Sequence, residues 1–286
     1  MNFQVHPKEK KYFFILVAVN VLFWIGILFF ASDLLRIAMN MGISISKLVF
    51  CGSTIPLFIW LQSILFSGYI KGNAVRVSER QFPEAFALLK SHSEALGLAQ
   101  IPAMYVMHDH GMLNAFAVRL SWRNYIVLYA DVLELAYQEG EDAVSFIIGH
   151  ELGHIKRNHV GFLKLFCTWP ARLVVQFLSN AYSRACEYTC DNIGFNLCPK
   201  GAAKGVLILA VGKKLYKKID VEQLLFDYKS EEGFAVNFAE IFSTHPMLIK
   251  RLAVVNQLKR DHLIEADNFF VSPKVDSADF QRKELQ

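Results

Sequence analysis

The run His150-Glu151-Leu152-Gly153-His154 puts two imidazoles and a carboxylate at a spacing suited to metal-assisted attack by water. Histidines four residues apart lie on one face of a helix, so both can reach a single cation. The glutamate next to the first can stand beside a water that the metal activates and act as its general base. A chance triplet on a solvated helix is the plain alternative, and the flanking residues speak against it. Ala143, Val144, Phe146, Ile147 and Ile148 are apolar at helical spacing. Glu141 and Asp142 suit the positive end of a helix dipole, while Lys156, Arg157 and His159 suit its negative end, with Gly161 as the stop. The pattern predicts a helix from about Glu141 to about Val160. Gly149 and Gly153 each weaken that helix by about 1 kcal/mol relative to alanine, so they predict close approach of a second backbone, a packed helix or a substrate.

A catalytic zinc takes three protein ligands and keeps one position open. Downstream, Ser183-Arg184-Ala185-Cys186-Glu187-Tyr188-Thr189-Cys190-Asp191 reads as helical and half-buried, with Glu187 the candidate third ligand. Asp191 falls one turn later on the same face, where it can accept the other ring N–H of a ligating histidine and fix its tautomer. An acidic face in water is the plainer reading of this pair. Thiolate ligation by Cys186 and Cys190 is a further option, but their spacing is not that of a CxxC knuckle.

The motif set resembles the HtpX and CAAX-prenyl-protease family of membrane zinc metallopeptidases, of the gluzincin type. The resemblance rests on HELGH at 150–154, Ser-Arg-x-x-Glu-x-x-x-Asp at 183–191, Asn114-Ala115-Phe116-Ala117 upstream, His159, and Ser243-Thr244-His245-Pro246 near the end. It extends over roughly Ser78 to Arg260. It implies one Zn²⁺ per chain held by His150, His154 and Glu187, with Glu151 as general base. It implies peptide-bond hydrolysis, with damaged or misassembled membrane proteins as the substrate class. It also brings His245 near the metal, to steady an oxyanion or to bind the metal in a resting state; read from the sequence alone, a histidine before proline is a helix-cap residue. Asn114 reads either as a substrate-binding residue or as a turn residue, and His159, five residues after His154, as structural. Many members of the family carry a membrane hairpin between the histidine motif and the ligand glutamate. Here Gly161–Tyr182 is short and interrupted by Lys164, Pro170 and Arg172, which suits a surface or packed helix rather than a span. That departure argues against an enclosed chamber of the CAAX-protease type.

Positioning these groups requires a scaffold, and composition outlines it. The chain has 286 residues, 53% of them hydrophobic, and a mean hydropathy of +0.29. The apolar excess sits at the front. Phe13–Ala31 and Leu48–Ile70 carry no charge, and each is long enough to cross a hydrocarbon core of about 30 Å. The first is longer than a signal-peptide core and is followed by a second span without a small-residue cleavage site, so two retained transmembrane helices are expected. Lys8, Lys10 and Lys11 precede the first span and Lys71, Arg76 and Arg80 follow the second, against Arg36 and Lys47 between them. That bias predicts both ends, and the catalytic domain, in the cytoplasm. Five cysteines in no secreted-type framework agree with that compartment. A net charge of +4 without a basic, aromatic-rich stripe does not favour nucleic acid; the small excess suits anionic lipid.

The expected fold is α+β, mainly α: two transmembrane helices followed by a zincin-like domain with a small sheet. The division is residues 1–77 as membrane anchor, 78–262 as metalloprotease domain and 263–286 as a polar tail, mobile from Asp276 to Gln286. Within the domain, a helix is expected over Ser78–Gly97, strands over Ala103–His108, Asn114–Leu120 and Tyr125–Tyr129, and helices over Gly205–Lys218, through Tyr228, and from Pro246 to about Arg260. An edge strand of such a sheet can hold an extended peptide by backbone hydrogen bonds. The rival functional classes are a membrane-anchored zinc scaffold or regulator with little hydrolysis, and a CAAX-type processing protease.

Overall fold

The computed structural model describes residues 3–108, 114–120, 122–161, 164, 168, 169, 171, 172, 175–231 and 233–271. The chain opens with α1 (Pro7–Phe29), an amphipathic α2 (Ala31–Asn40) and α3 (Ile45–Asn73). Proline at the first turn starts α1, where its missing N–H costs nothing, and Ser44 caps α3 by accepting from the Lys47 backbone N–H at 3.4 Å. Both α1 and α3 are long and apolar enough to cross a membrane. Their apolar residues are also bare: Leu28 is 75% exposed, Phe29 79% and Phe58 60%. A helix apolar on all sides and uncovered on most of them has an unfavourable surface in water and a favourable one in lipid. The sequence left residues 32–47 as a connecting loop; most of them form α2.

The sheet comprises β1 (Val75–Arg76), β2 (Ala103–Met107), β3 (Ala115–Leu120) and β4 (Arg123–Tyr129). Its order is β1-β2-β4-β3, so β3 is an edge strand. The β2/β4 pair is parallel and the other two pairs are antiparallel. Alternate residues serve opposite faces, as the strand period requires. Met104, Val106, Ile126 and Leu128 face the main core with Leu89, Ile148 and Leu152. Tyr105, Tyr125, Val127 and Tyr129 face the other way and meet Ile70 at the end of α3. The sheet therefore joins α3 to the helical core.

Helix α4 (Pro83–Ala95), expected, lies between β1 and β2 in sequence, and α5 (Ala130–Glu139), which the sequence reading missed, follows β4. Next come α6 (Asp142–Lys156), α7 (Gln176–Leu197), α8 (Pro199–Leu215), α9 (Val221–Glu231), α10 (Phe234–Phe242) and α11 (Leu248–Val271). Helix α8 starts at Pro199, six residues before the expected Gly205, and Gly212 breaks its regularity at φ +84°. The last helix begins at Leu248, past Pro246, and runs beyond Arg260 to Val271. The expected mobile tail, Asp276–Gln286, lies outside the described residues, as does much of Gly161–Tyr182; the later part of that stretch, from Gln176, is already α7.

Candidate metal centre

Helix α6 is buried from Ala143 to Gly153, and α7 crosses it along a seam of small residues. A Cβ on Gly149 would lie 3.2 Å from Gly194 Cα, and one on Gly153 would lie 3.2 Å from Cys190 Cα. The two glycines flagged by the sequence thus admit a packed helix rather than a substrate. This close crossing brings Glu187 of α7 onto the histidine face of α6. His150 Nε2 and His154 Nε2 are 3.3 Å apart. Glu187 Oε2 lies 3.4 Å from the first, and its Oε1 lies 3.3 Å from the second.

Those separations fit a metal. Zinc bonds of about 2.0–2.2 Å in tetrahedral geometry set neighbouring donors roughly 3.3–3.5 Å apart, so the three side chains outline one face of such a site. Among the described residues, two other groups come close enough to be considered, His154/His159/Cys190 and Glu9/His159/Cys186. Both are less suited to a cation. Burial pushes the Cys186 thiol up to about 12 and raises Cys190 as well, and Arg157 and Lys164 already face Glu9.

Behind the ligand face, Asp191 is fully buried and sits 2.9 Å from His150 Nδ1, as its spacing predicts. Arg251 of α11, which the sequence reading did not single out, grips Asp191 from the far side. Its Nε donates to Oδ2 at 2.8 Å and its Nη2 to Oδ1 at 2.6 Å. Burial would raise the Asp191 carboxyl, but the Arg251 guanidinium overrides it and holds the group below its usual range. For Arg251, burial would lower the pKa, and Asp191 outweighs it and raises it. Burial would likewise lower His150, yet Asp191 and Glu187 raise it to about 10. Glu187 is driven well below its usual value, because the two histidines outweigh burial. In one-dimensional terms Arg251 is an arginine on an amphipathic helix; only the buried partner on another helix reveals its task.

Glu151 is buried and lines a cavity of about 360 Å³ that opens over the three donors. Asn114, Ala115, Phe116 and Ala117, at the start of edge strand β3, line the same cavity. Asn114 Oδ1 accepts from the Ala115 N–H at 2.9 Å, and its carbonyl accepts from the Tyr129 N–H at 3.0 Å. It therefore shapes the strand entry while standing at the cavity wall. His245 is 66% exposed at the rim, with Nε2 3.7 Å from Glu187 Oε1. Its loop is held by Arg184 of the Ser-Arg-x-x-Glu motif, which donates to the carbonyls of Glu240 and Ser243 at 2.6 Å each. The two distant motifs are thus parts of one structure.

His159 lies off the Nε2 face of His154, and the end of α6 sets its place. A continued helix would rotate it away from His154, but α6 stops first. Asn158 takes the left-handed conformation at φ +56°. The Asn158 N–H then bonds Ile155 O at 2.9 Å and the His159 N–H bonds His154 O at 2.8 Å, a Schellman ending. The stop is therefore Asn158 rather than Gly161, and it folds His159 back over His154, with the two Nδ1 atoms 3.1 Å apart. Burial lowers the His159 pKa to about 4, so its ring is neutral.

Helices α6 and α7 thus bring three potential metal ligands together beneath one cavity. Residues 79–175 and 161–259 match the sequence model of Peptidase family M48 in two overlapping stretches, well over half of the chain, and the protein belongs to that family. The crystal structure of S. mikatae Ste24p is similar at 15% identity and a TM-score of 0.49, over 84% of this chain and 64% of that one. The chain thus spans a little under two thirds of the Ste24p chain. No curated protein matches the sequence.

Proposed function

We propose that the protein is a membrane-anchored, zinc-dependent endopeptidase acting on polypeptides, with misfolded membrane proteins as the substrate class. The observation that carries this reading is the convergence of His150, His154 and Glu187 at 3.3–3.4 Å beneath a cavity that Glu151 also lines. His150, His154 and Glu187 would hold the zinc. When bound there, zinc supplies Lewis acidity that polarises a scissile carbonyl and makes water acidic enough to ionise near neutrality. Glu151 takes a proton from the attacking water and passes it to the leaving amine. Asp191 accepts the His150 Nδ1–H, which keeps Nε2 free to ligate, and Arg251 keeps Asp191 ionised and in place. Strand β3 receives the substrate as an added strand. The antiparallel register with β4 turns the C=O of Ala115 and both backbone groups of Ala117 outward. Such binding reads backbone rather than side chains, which suits varied unfolded substrates. His245, exposed at the rim, donates to the carbonyl oxygen as charge develops on it.

Residues 1–77 would form the anchor and 78–262 the protease domain, with 263–286 as a tail. Both ends of the hairpin would face the cytoplasm, following the basic residues around α1 and α3. A zinc scaffold without hydrolysis is the rival class, and Glu151 separates the two, since a purely structural site has no use for a base. The short stretch before Glu187 and the two candidate spans weigh against CAAX-type processing. The test is Glu151→Gln in the full-length protein. It should retain zinc stoichiometry and lose about 10²–10⁴-fold in degradation of an unfolded casein substrate. Cleavage at the wild-type rate would discard Glu151 as the base, and a wild type that binds zinc but cleaves nothing would favour the scaffold.

A further inference from the structure

The first turns of α1 carry a buried carboxylate that the proposed chemistry does not use. Glu9 is 1% exposed and sits where α1 meets α6 and α7. Arg157 donates to its Oε1 from Nη2 at 2.9 Å and from Nε at 3.3 Å. Thr189 donates its hydroxyl to Oε2 at 2.5 Å. His159 Nε2 lies 3.2 Å from Oε1, and Lys164 Nζ 3.9 Å. On the other side of the same ring, His159 Nδ1 is 3.1 Å from His154 Nδ1, with Cys190 Sγ at 3.6 Å.

The donor and acceptor roles along this row are forced. His154 turns Nε2 toward His150 and Glu187, so Nε2 is its ligand atom. A neutral imidazole that ligates through Nε2 carries its proton on Nδ1, and that N–H needs an acceptor. The atom facing it is His159 Nδ1, which accepts only if His159 carries its own proton on Nε2. Nε2 in turn faces Glu9, and an ionised carboxylate paired with arginine only accepts. One tautomer of each ring therefore satisfies the whole row. With His159 protonated on Nδ1 instead, two N–H groups would oppose each other at 3.1 Å.

We propose that Glu9, on the first apolar helix, is a positioning residue for the metal site: through His159 it fixes the tautomer and orientation of His154. This rests on the reading that His150, His154 and Glu187 hold zinc. It gives His154 a carboxylate-backed relay to match the one Asp191 gives His150, and it makes the N-terminal helix part of the metal centre as well as an anchor. Glu9 also ties α1 to the domain, so the test must separate positioning from docking. Leu16 supplies the control. It is fully buried against Ala171, Tyr182 and Cys186 and holds α1 in place without touching the relay.

Zinc affinity of full-length protein in detergent would be measured by chelator competition, with thermal unfolding in parallel. Glu9→Gln replaces an acceptor-only group by one with two donors, and His159→Leu cuts the relay while leaving the Glu9–Arg157 pair. Each should weaken zinc about 10–100-fold, the usual effect of losing an outer-shell partner. Leu16→Ala should lower the unfolding temperature and keep zinc affinity within about twofold, because Leu16 is bonded to no ligand and outer-shell losses arise from groups that are. Zinc affinity retained by Glu9→Gln or by His159→Leu, or lost equally in Leu16→Ala, overturns the inference while leaving the zinc site standing. A wild type that binds no zinc, or binds it undiminished in His150→Ala, overturns the site assignment and the inference with it.

Discussion

Substituting Gly153 by alanine adds one methyl group at the crossing of α6 and α7. The new Cβ would meet Cys190 Cα at 3.2 Å, its Sγ at 3.2 Å and its Cβ at 3.3 Å. Carbon atoms pack best at about 3.5–4.0 Å, so the helices must part by roughly 0.3–0.8 Å. Overpacking of this kind costs about 1–3 kcal/mol, while alanine gains back about 1 kcal/mol of helix propensity. The net change in stability is therefore small, on the order of 0–2 kcal/mol. The metal site is less forgiving. His154 follows Gly153 directly and Glu187 lies three residues before Cys190, so the separation is delivered to the 3.3 Å gap between His154 and Glu187. Metal–ligand distances tolerate about 0.2 Å. Gly153→Ala should thus keep most of its thermal stability and lose at least about tenfold in zinc affinity, a loss comparable to removing an outer-shell partner. Gly26→Ala, where nothing lies within 4 Å of an added Cβ, is the matched control and should bind zinc normally. Chelator competition and thermal unfolding read the two effects separately. Zinc affinity unchanged in Gly153→Ala, with stability equal or higher, would refute the claim that this close crossing sets the site.

Two further outcomes follow from the buried charges. Arg251→Leu leaves Asp191 buried without its guanidinium, a loss of about 3–5 kcal/mol that should lower the unfolding temperature by on the order of 10 °C; an unchanged melting curve would refute the pairing. Without a cation between them, Asp191 and Glu187 raise His150 to about 10, so zinc must displace its proton. Because the folded value lies above the ordinary 6.5, that proton is held at neutrality and given up only as pH rises toward 10. Calorimetry at pH 7.5 in buffers of different ionisation enthalpy should show about one proton released from His150, with affinity rising about tenfold per pH unit below 10. Zinc binding independent of pH between 7 and 9 would contradict it.

The local pattern of the chain contained much of this. Two histidines at helical spacing define a face whatever surrounds them, because the helix period is a property of the backbone. Asp191 was placed behind the ligand face from its offset to Glu187, and the two apolar helices from their length alone. Glycines at 149 and 153 announced a close neighbour, although the sequence left open whether that neighbour was substrate or helix. What the sequence left out was settled by contacts between residues far apart in the chain. Arg251 reaches Asp191 across sixty positions, and Glu9 reaches His159 across a hundred and fifty. Helix α5 was missed because only its neighbours decide whether Ala130–Glu139 coils or loops. His159 was read as structural on the assumption of an unbroken helix; what that assumption hid is that Asn158, a short polar residue that tolerates positive φ, turns the chain back and packs His159 behind His154. Spacing fixes which groups share a face, since that depends on one periodic backbone; which face meets which depends on packing, and packing belongs to the folded chain as a whole.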